Sequence, residues 1–297
     1  VLALGRTKHP PAALYSFADY LAVDIAEAVP KLEATVCIHC AGLASDKETA
    51  ATLNKINAEG TKNVFENISC SHFIFLSSAS VYPPTNNIHT EEEEIDEANV
   101  SAYGLSKLKA EQYLRQHQNK RISIIRPRAV YGLGDRILLP RLLRLKKGPL
   151  LITPAQLNYR ISITNIENLL FATHQLIKHA STNTVEIYNV VDDSEQTFEK
   201  VISDVMELTA VKPLAHLRIP QTVLRFLGKQ FPKSDINSNT LKYYLCHHQL
   251  SNKKIKEDLQ IEFPHTFAGY KSSYKTWIKK IGLADLQKAA ADLPWRF

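Results

Sequence analysis

The segment FIFLSSASVYPPTNNIHTEEEEIDEANVSAYGLSK, residues 73–107, carries the side chains best suited to proton chemistry. It reads as a buried strand ending in Ser77 and Ser78, then a polar loop, then Tyr103 and Lys107 four residues apart. On a helix that spacing sets both side chains on one face. An ammonium beside a phenol favours the phenolate and lowers the tyrosine pKa from its usual value of about 10. Tyr103 then becomes usable as a general acid or base near neutral pH. A serine hydroxyl at the strand end could hold the substrate oxygen while the proton moves. Together the three types make a device for interconverting an alcohol and a ketone. Taken alone, Tyr-x-x-x-Lys also suits a helix that merely packs on a sheet, so its setting must decide.

That setting is a series of short apolar runs: VLALGR, YLAVDI, ATVCIHCAG, HFIFLSS and RISIIRPRAVYG, several of them separated by helical patterns. The alternation predicts βαβ units and a parallel sheet buried on both faces, up to about Gly134. Beyond it, ILLPRLLRLKKG reads as a helix, TVEIYNVV as a strand and TFEKVISDVMELT as an amphipathic helix. The expected architecture is α/β: a Rossmann-like doubly wound parallel sheet over residues 1–134 and a smaller, α-rich substrate lobe over 135–297. A strand and helices near 161–190 are expected to return to the first domain. A glycine-rich phosphate loop belongs between the first strand and first helix of such a sheet, and the sequence shows none. If VLALGR is the second strand, about 25–30 residues are expected ahead of it. The leading Val1 and the single methionine, Met206, agree with an absent start.

Composition narrows the classes. The 297 residues are 44% hydrophobic, enough for a sizeable core. No apolar run nears the roughly 18 residues of a membrane helix, and the start is too weakly apolar for a secretory signal, so no membrane span and a cytoplasmic location are expected. Cys37, Cys40, Cys70 and Cys246 are too few for a disulfide framework. Cys37 and Cys40 point to opposite faces of a strand, and His247 and His248 are adjacent, so no metal site is expected. The net charge of +6 suits an anionic ligand. RLLRLKK and SNKKIKED lack interleaved aromatics and read as solvated faces, with no nucleic-acid partner.

With these motifs in order (LAVDI, VCIHCAG, NAEGTKNV, FLSSASVY, YGLSK, RPRAVYGLGD and LQIEFPHTFAGYKSSYKTW) the sequence resembles the extended short-chain dehydrogenase/reductase family, which includes nucleotide-sugar epimerases and 3β-hydroxysteroid dehydrogenases. The resemblance implies Tyr103 as catalytic acid/base, Lys107 as its partner and holder of the nicotinamide ribose, and Ser78 as catalytic serine, with Ser77 its competitor. It implies Asn57 as support of a water chain to Lys107. Asp24 and Ile25 would contact adenine, Cys40, Ala41 and Gly42 would line the cofactor cleft, and Ser78, Ser80 and Tyr82 would face a small-molecule substrate. Arg6 follows Gly5 where NAD-preferring relatives carry Asp, so NADP is the expected cofactor, with NAD the alternative.

For the substrate, relatives acting on sugar nucleotides commonly have Asn before VYG, where this chain has Ala129. The run IRPRAVYGLGDRILLPRLLRL, with Thr164 and Asn168, looks more like the steroid dehydrogenase branch, so a lipid-like, steroid-like or 3-oxoacyl substrate is the leading expectation. A nucleotide-sugar epimerase or dehydratase with bound NAD is the second, and a non-catalytic protein with a decayed cofactor site the third. LRIPQTVLRFLGKQF reads as a lid over an aliphatic substrate or as a helix with one core face. A homodimer through helices, common in that family, is also implied.

Overall fold

The structure, a computed structural model, describes residues 1–45, 47–117, 120–179, 184–231, 241 and 245–286. The chain runs through β1 (Leu2–Gly5), β2 (Asp19–Ala22), β3 (Leu32–His39), α1 (Ala50–Leu53), α2 (Gly60–Asn67), β4 (Ile68–Leu76), α3 (Ala102–Arg115) and β5 (Arg121–Pro127). It continues through α4 (Leu138–Leu143), β6 (Lys146–Lys147), β7 (Leu150–Pro154), α5 (Ile166–Lys178), β8 (Val185–Val190), α6 (Phe198–Leu208), β9 (Ala215–Ile219), α7 (Gln221–Gln230), α8 (Lys253–Leu259) and α9 (Phe267–Ile281). A π-helical stretch, Asn54–Glu59, joins α1 to α2. Two compact units result.

The first unit comprises Val1–Val81, Val100–Arg126 and Leu176–Tyr188. Its four-stranded sheet has the order β8-β5-β4-β3, with β4 parallel to both β3 and β5. Phe73 and Phe75 of β4 and Ile122 and Ile124 of β5 are fully buried, each such side chain contributing about 1.5–3 kcal/mol of hydrophobic stabilisation. This double-sided burial is why these strands read as unbroken apolar runs. β1 and β2 pair in parallel as a separate two-stranded sheet. Leu4, Val23 and Ile25 join the same core as Phe65 of α2 and Leu114 of α3. Among the described residues β3 is an edge, and its Ile38 is 48% exposed.

The second unit comprises Tyr82–Asn99, Pro127–Gln175 and Asn189–Phe297. Its core packs Leu139, Leu142 and Leu143 of α4 with Val201 and Val205 of α6 and Tyr274 of α9. Helices share this unit with strands: β9-β7-β6 forms a three-stranded sheet, and Val130–Tyr131 pairs with Thr164–Asn165. The division therefore differs from the expected break at 134. It falls at Arg126, the loop 82–99 belongs to the second unit, and the returning piece is 176–188 rather than 161–190. Leu138–Leu143 is also shorter than the expected helix, because the chain turns at Gly148 (φ +56°) to pair β6 with β7.

Candidate active site

In the first unit α3 carries Tyr103 and Lys107. Its Ala-, Leu-, Lys- and Glu-rich sequence favours the helix, and the Ser101 hydroxyl caps it by accepting from the Gly104 N–H at 3.1 Å. Gly104 sits where α3 meets the turn after β4. A Cβ there would lie 1.9 Å from the Ser80 carbonyl oxygen and 2.6 Å from Val100. This close approach sets Ser78 and Ser80 beside the helix turn that carries Tyr103. Gly104→Ala is expected to lose stability at the upper end of the roughly 1–3 kcal/mol that overpacking costs. The check is a urea titration. Since the obstacle is backbone, the turn must shift, and turnover should fall with stability.

Lys107 is buried and its ammonium donates to the Leu76 carbonyl at 2.7 Å, over the Phe75 ring at 4.5 Å. Burial pulls its pKa down to about 8, opposed by the negative charges available at Cys40 and Glu111. Asn57 spends its amide on structure: Oδ1 accepts from Leu43 N–H at 2.7 Å, and Nδ2 donates to the Leu43 carbonyl at 3.1 Å and the Ser106 hydroxyl at 2.9 Å. Ser106 in turn donates to the Tyr103 carbonyl at 2.7 Å. The π-helical turn thus ties the loop after β3 to α3. A Cβ on Gly42 would come within 3.1 Å of Asn57 Oδ1 and 3.4 Å of Lys107 Nζ, so the backbone at 42 leaves open the space over the lysine.

His39, at the end of β3, stacks on Phe75 and bonds Thr61 Oγ1 at 3.0 Å. Thr61 gives its one proton to the Asn57 carbonyl at 2.6 Å, so His39 Nε2 must carry the hydrogen. Burial, aided by Lys107, holds its pKa near 3, and the ring is neutral at physiological pH.

The other expected residues divide. Ser78 Oγ accepts from Ser80 N–H at 3.1 Å and donates to Ser80 Oγ at 3.2 Å, so the two hydroxyls form one half-exposed pair. Ser77 is buried instead and donates to Glu111 at 2.5 Å. Asp24 accepts from Ala26 N–H at 3.0 Å, and Ile25 packs where a Cβ on Gly60 would meet it at 2.9 Å. Cys40 has its thiol pKa raised by desolvation and pulled back by Lys107. Arg6 is exposed just beyond β1, and Ala41 is exposed next to Gly42. In the second unit Tyr82 is fully buried and donates to Asn189 Oδ1 at 2.8 Å. There Thr164 and Asn168 also act as braces: Thr164 donates to the Val190 carbonyl at 2.7 Å, and Asn168 to Asp192 at 2.8 Å and the His265 carbonyl at 2.7 Å.

Sequence reading missed the ion pair beneath the site. Glu111, one turn beyond Lys107, accepts from Arg126 Nε at 3.0 Å and Nη2 at 2.5 Å, and both residues are buried. The signal was present in the sequence as a third polar residue in the four-residue spacing 103, 107, 111. Among the described residues no group of three or more His, Cys, Asp or Glu side chains could hold a metal, and no helix is long and apolar enough to cross a membrane.

The chain is 29% identical over 224 residues to the N-acetyl-α-D-glucosaminyl-diphospho-ditrans,octacis-undecaprenol 4-epimerase of Escherichia coli O157:H7, covering 68% of this chain and 66% of that protein, just under two thirds of its length. It is 29% identical over 269 residues to the UDP-glucose 4-epimerase of Vibrio cholerae, covering 84% of this chain and 79% of that protein. Neither is a steroid or 3-oxoacyl enzyme by name. The fold is shared with MoeE5 in complex with UDP-glucuronic acid and NAD (TM-score 0.73, 15% identity, 94% of this chain and 91% of that one). It is shared also with the UDP-glucuronic acid 4-epimerase of Bacillus cereus in complex with NAD (TM-score 0.72, 17% identity, 97% and 91%). The model of the NAD dependent epimerase/dehydratase family matches residues 7–190, more than half of the chain. The chain belongs to that family.

Proposed function

We propose that the chain catalyses NAD-dependent 4-epimerisation of a hexose carried on a diphosphate, the chemistry common to the names of its two curated relatives. The observation that carries the reading is the buried Lys107 ammonium, held on Leu76 beside Gly42 and one turn from Tyr103. When bound, NAD supplies a reversible acceptor for the hydride at the sugar carbon. Lys107 at the open Gly42 backbone fits the nicotinamide ribose end, with Asn57 bracing that loop, and Asp24 with Ile25 fits the adenine end. Tyr103 takes the proton of the sugar hydroxyl and later returns it. Lys107, while cationic, favours its phenolate form, and Ser78 with Ser80 orients the reacting oxygen. The pyrophosphate has no glycine-rich cradle among the residues present.

This replaces the lipid-like substrate expected from Ala129. The Ala129 backbone has φ +46°, in the left-handed region where Asn is at home. The turn has a conformation that asparagine readily adopts, so Ala129 weighs little against a diphosphate sugar. It also moves the cofactor from NADP to NAD, since the solved relatives named above are complexes with NAD. Calorimetric titration with NAD and NADP, followed by NMR of the full chain with UDP-glucose, UDP-N-acetylglucosamine and a polyprenyl-diphosphate-linked sugar, tests it. Tighter NAD binding, appearance of the C4 epimer of one of these sugars and no net reduction of cofactor are expected. Stoichiometric reduction of NADP, or no epimer from any of them, would sink the reading.

A further inference from the structure

The second unit exposes apolar surface that its own core does not use. β9 is an edge strand paired in parallel with β7, Ala215 opposite Leu150 and Leu217 opposite Ile152. Strand alternation sends Leu151 and Thr153 inward, where both are buried and Thr153 Oγ1 bonds His216 at 2.6 Å. Leu150 and Leu217 therefore share the opposite, outward face. α7 follows after Pro220 alone and covers the Ile219 end of that face through Leu224. Leu217 remains 50% exposed, and the preceding Leu214 is 87% exposed.

α7 itself has three faces. Leu224 and Gly228 are buried, Val223 and Phe226 form an apolar face open to solvent, and Arg225 and Lys229 flank it. Phe226 is 63% exposed and Phe231, the C-cap, 57%. Large aromatic side chains at that exposure, beside basic ones, are the composition of a helix lying in a membrane interface.

Charge decides between occupants. Residues 212–231 contain Lys212, Arg218, Arg225 and Lys229 and no acidic residue. Residues 141–152, which lead into β7, contain Arg141, Arg144, Lys146 and Lys147, again with no acidic residue. Against a whole-chain net charge of +6, these two segments hold all of the excess and the rest is slightly acidic. Of these basic residues, Arg225 and Lys229 on α7 and Lys147, paired opposite Leu150 on the outward face, are exposed, while Arg218 lies 3.7 Å from Glu199. A second copy docking here would set like charges face to face. An anionic bilayer would not, because basic residues near its surface are attracted to its headgroups.

We propose that α7 and the outward face of β9 and β7 form a docking surface for an anionic phospholipid membrane, with Phe226 and Val223 entering the interface and Arg225, Lys229 and Lys147 meeting headgroups. Resting on the sugar-epimerase reading, the surface would bring the enzyme to substrates whose diphosphate carrier is membrane-borne.

The test is flotation of the full chain with phosphatidylcholine vesicles, with and without about 30% phosphatidylglycerol, at about 0.05 M and about 0.5 M salt. Flotation with the anionic vesicles at low salt only is expected. Val223→Ser with Phe226→Ser, and separately Arg225→Glu with Lys229→Glu, should each weaken it at least about tenfold with the thermal midpoint unchanged. Absence of flotation, flotation untouched by both pairs, or sedimentation showing that Phe226 instead holds a dimer would overturn the proposal. The assay uses neither cofactor nor sugar, so its failure is separate from failure of the epimerase reading.

Discussion

Tyr103→Phe is expected to lower epimerisation by about 10²–10⁴-fold, the range over which a positioned general acid–base contributes, with NAD affinity changed little. The substitution removes one oxygen from a half-exposed ring and leaves the Ser101 cap, Ser106 and Lys107 in place. A loss confined to turnover thus separates proton transfer from collapse of the site. The readouts are turnover by NMR and cofactor affinity by calorimetry, and retained turnover would remove Tyr103 from the mechanism. The wild-type pH profile gives a second check. Lys107 is cationic below its depressed pKa of about 8 and neutral above it, so assistance to the phenolate fades as pH rises through that value, and turnover of the cofactor-loaded chain should fall on the alkaline side.

The strands of the first unit were legible because burial on both faces leaves no polar alternation: HFIFL and RISII could hardly be anything but sheet interior. The helix α3 was legible from composition, and it sets Tyr103 and Lys107 one turn apart as their four-residue spacing implies. Residues 217–231 read as a single lid or helix. They form a strand and a helix divided by Pro220, because β9 gains its order from pairing with β7, and five residues that are exposed or half-buried give no burial signal of their own. The division into units was hidden for a different reason. Each is assembled from three separate segments, and a linear pattern has no mark for a chain that leaves a core and returns to it. Ala129 was weighed against a sugar nucleotide as a side-chain difference alone, because its backbone angle is visible only in the structure. Glu111 escaped notice because a glutamate on a helix normally faces water. Only the structure shows it buried against an arginine from a strand that begins ten residues after it.

That pair gives the second large effect. Glu111→Leu is expected to destabilise the first unit by about 3–5 kcal/mol, since it takes from the buried Arg126 guanidinium the carboxylate that accepts from its Nε and Nη2 and removes the acceptor of Ser77. Adding Arg126→Met should recover most of the loss, because a buried ion pair replaced by apolar side chains of similar volume is often neutral in stability. Urea unfolding of the two variants and the parent measures this, and a double variant no better than the single would show that the pair is not the unit of stability. The pH behaviour should not recover. Glu111 is one of the two groups holding the Lys107 pKa up against burial, so with the carboxylate gone it falls further below about 8. The sign follows from linkage: the unfolded lysine keeps its proton to about 10.4, so this residue's destabilising effect is full below the folded pKa and is relieved as pH rises between the two values. In both variants the start of that rise, and the alkaline fall in turnover, should move to lower pH. An unmoved profile in a folded double variant would mean that Glu111 only braces the strand ends and does not set the charge of Lys107.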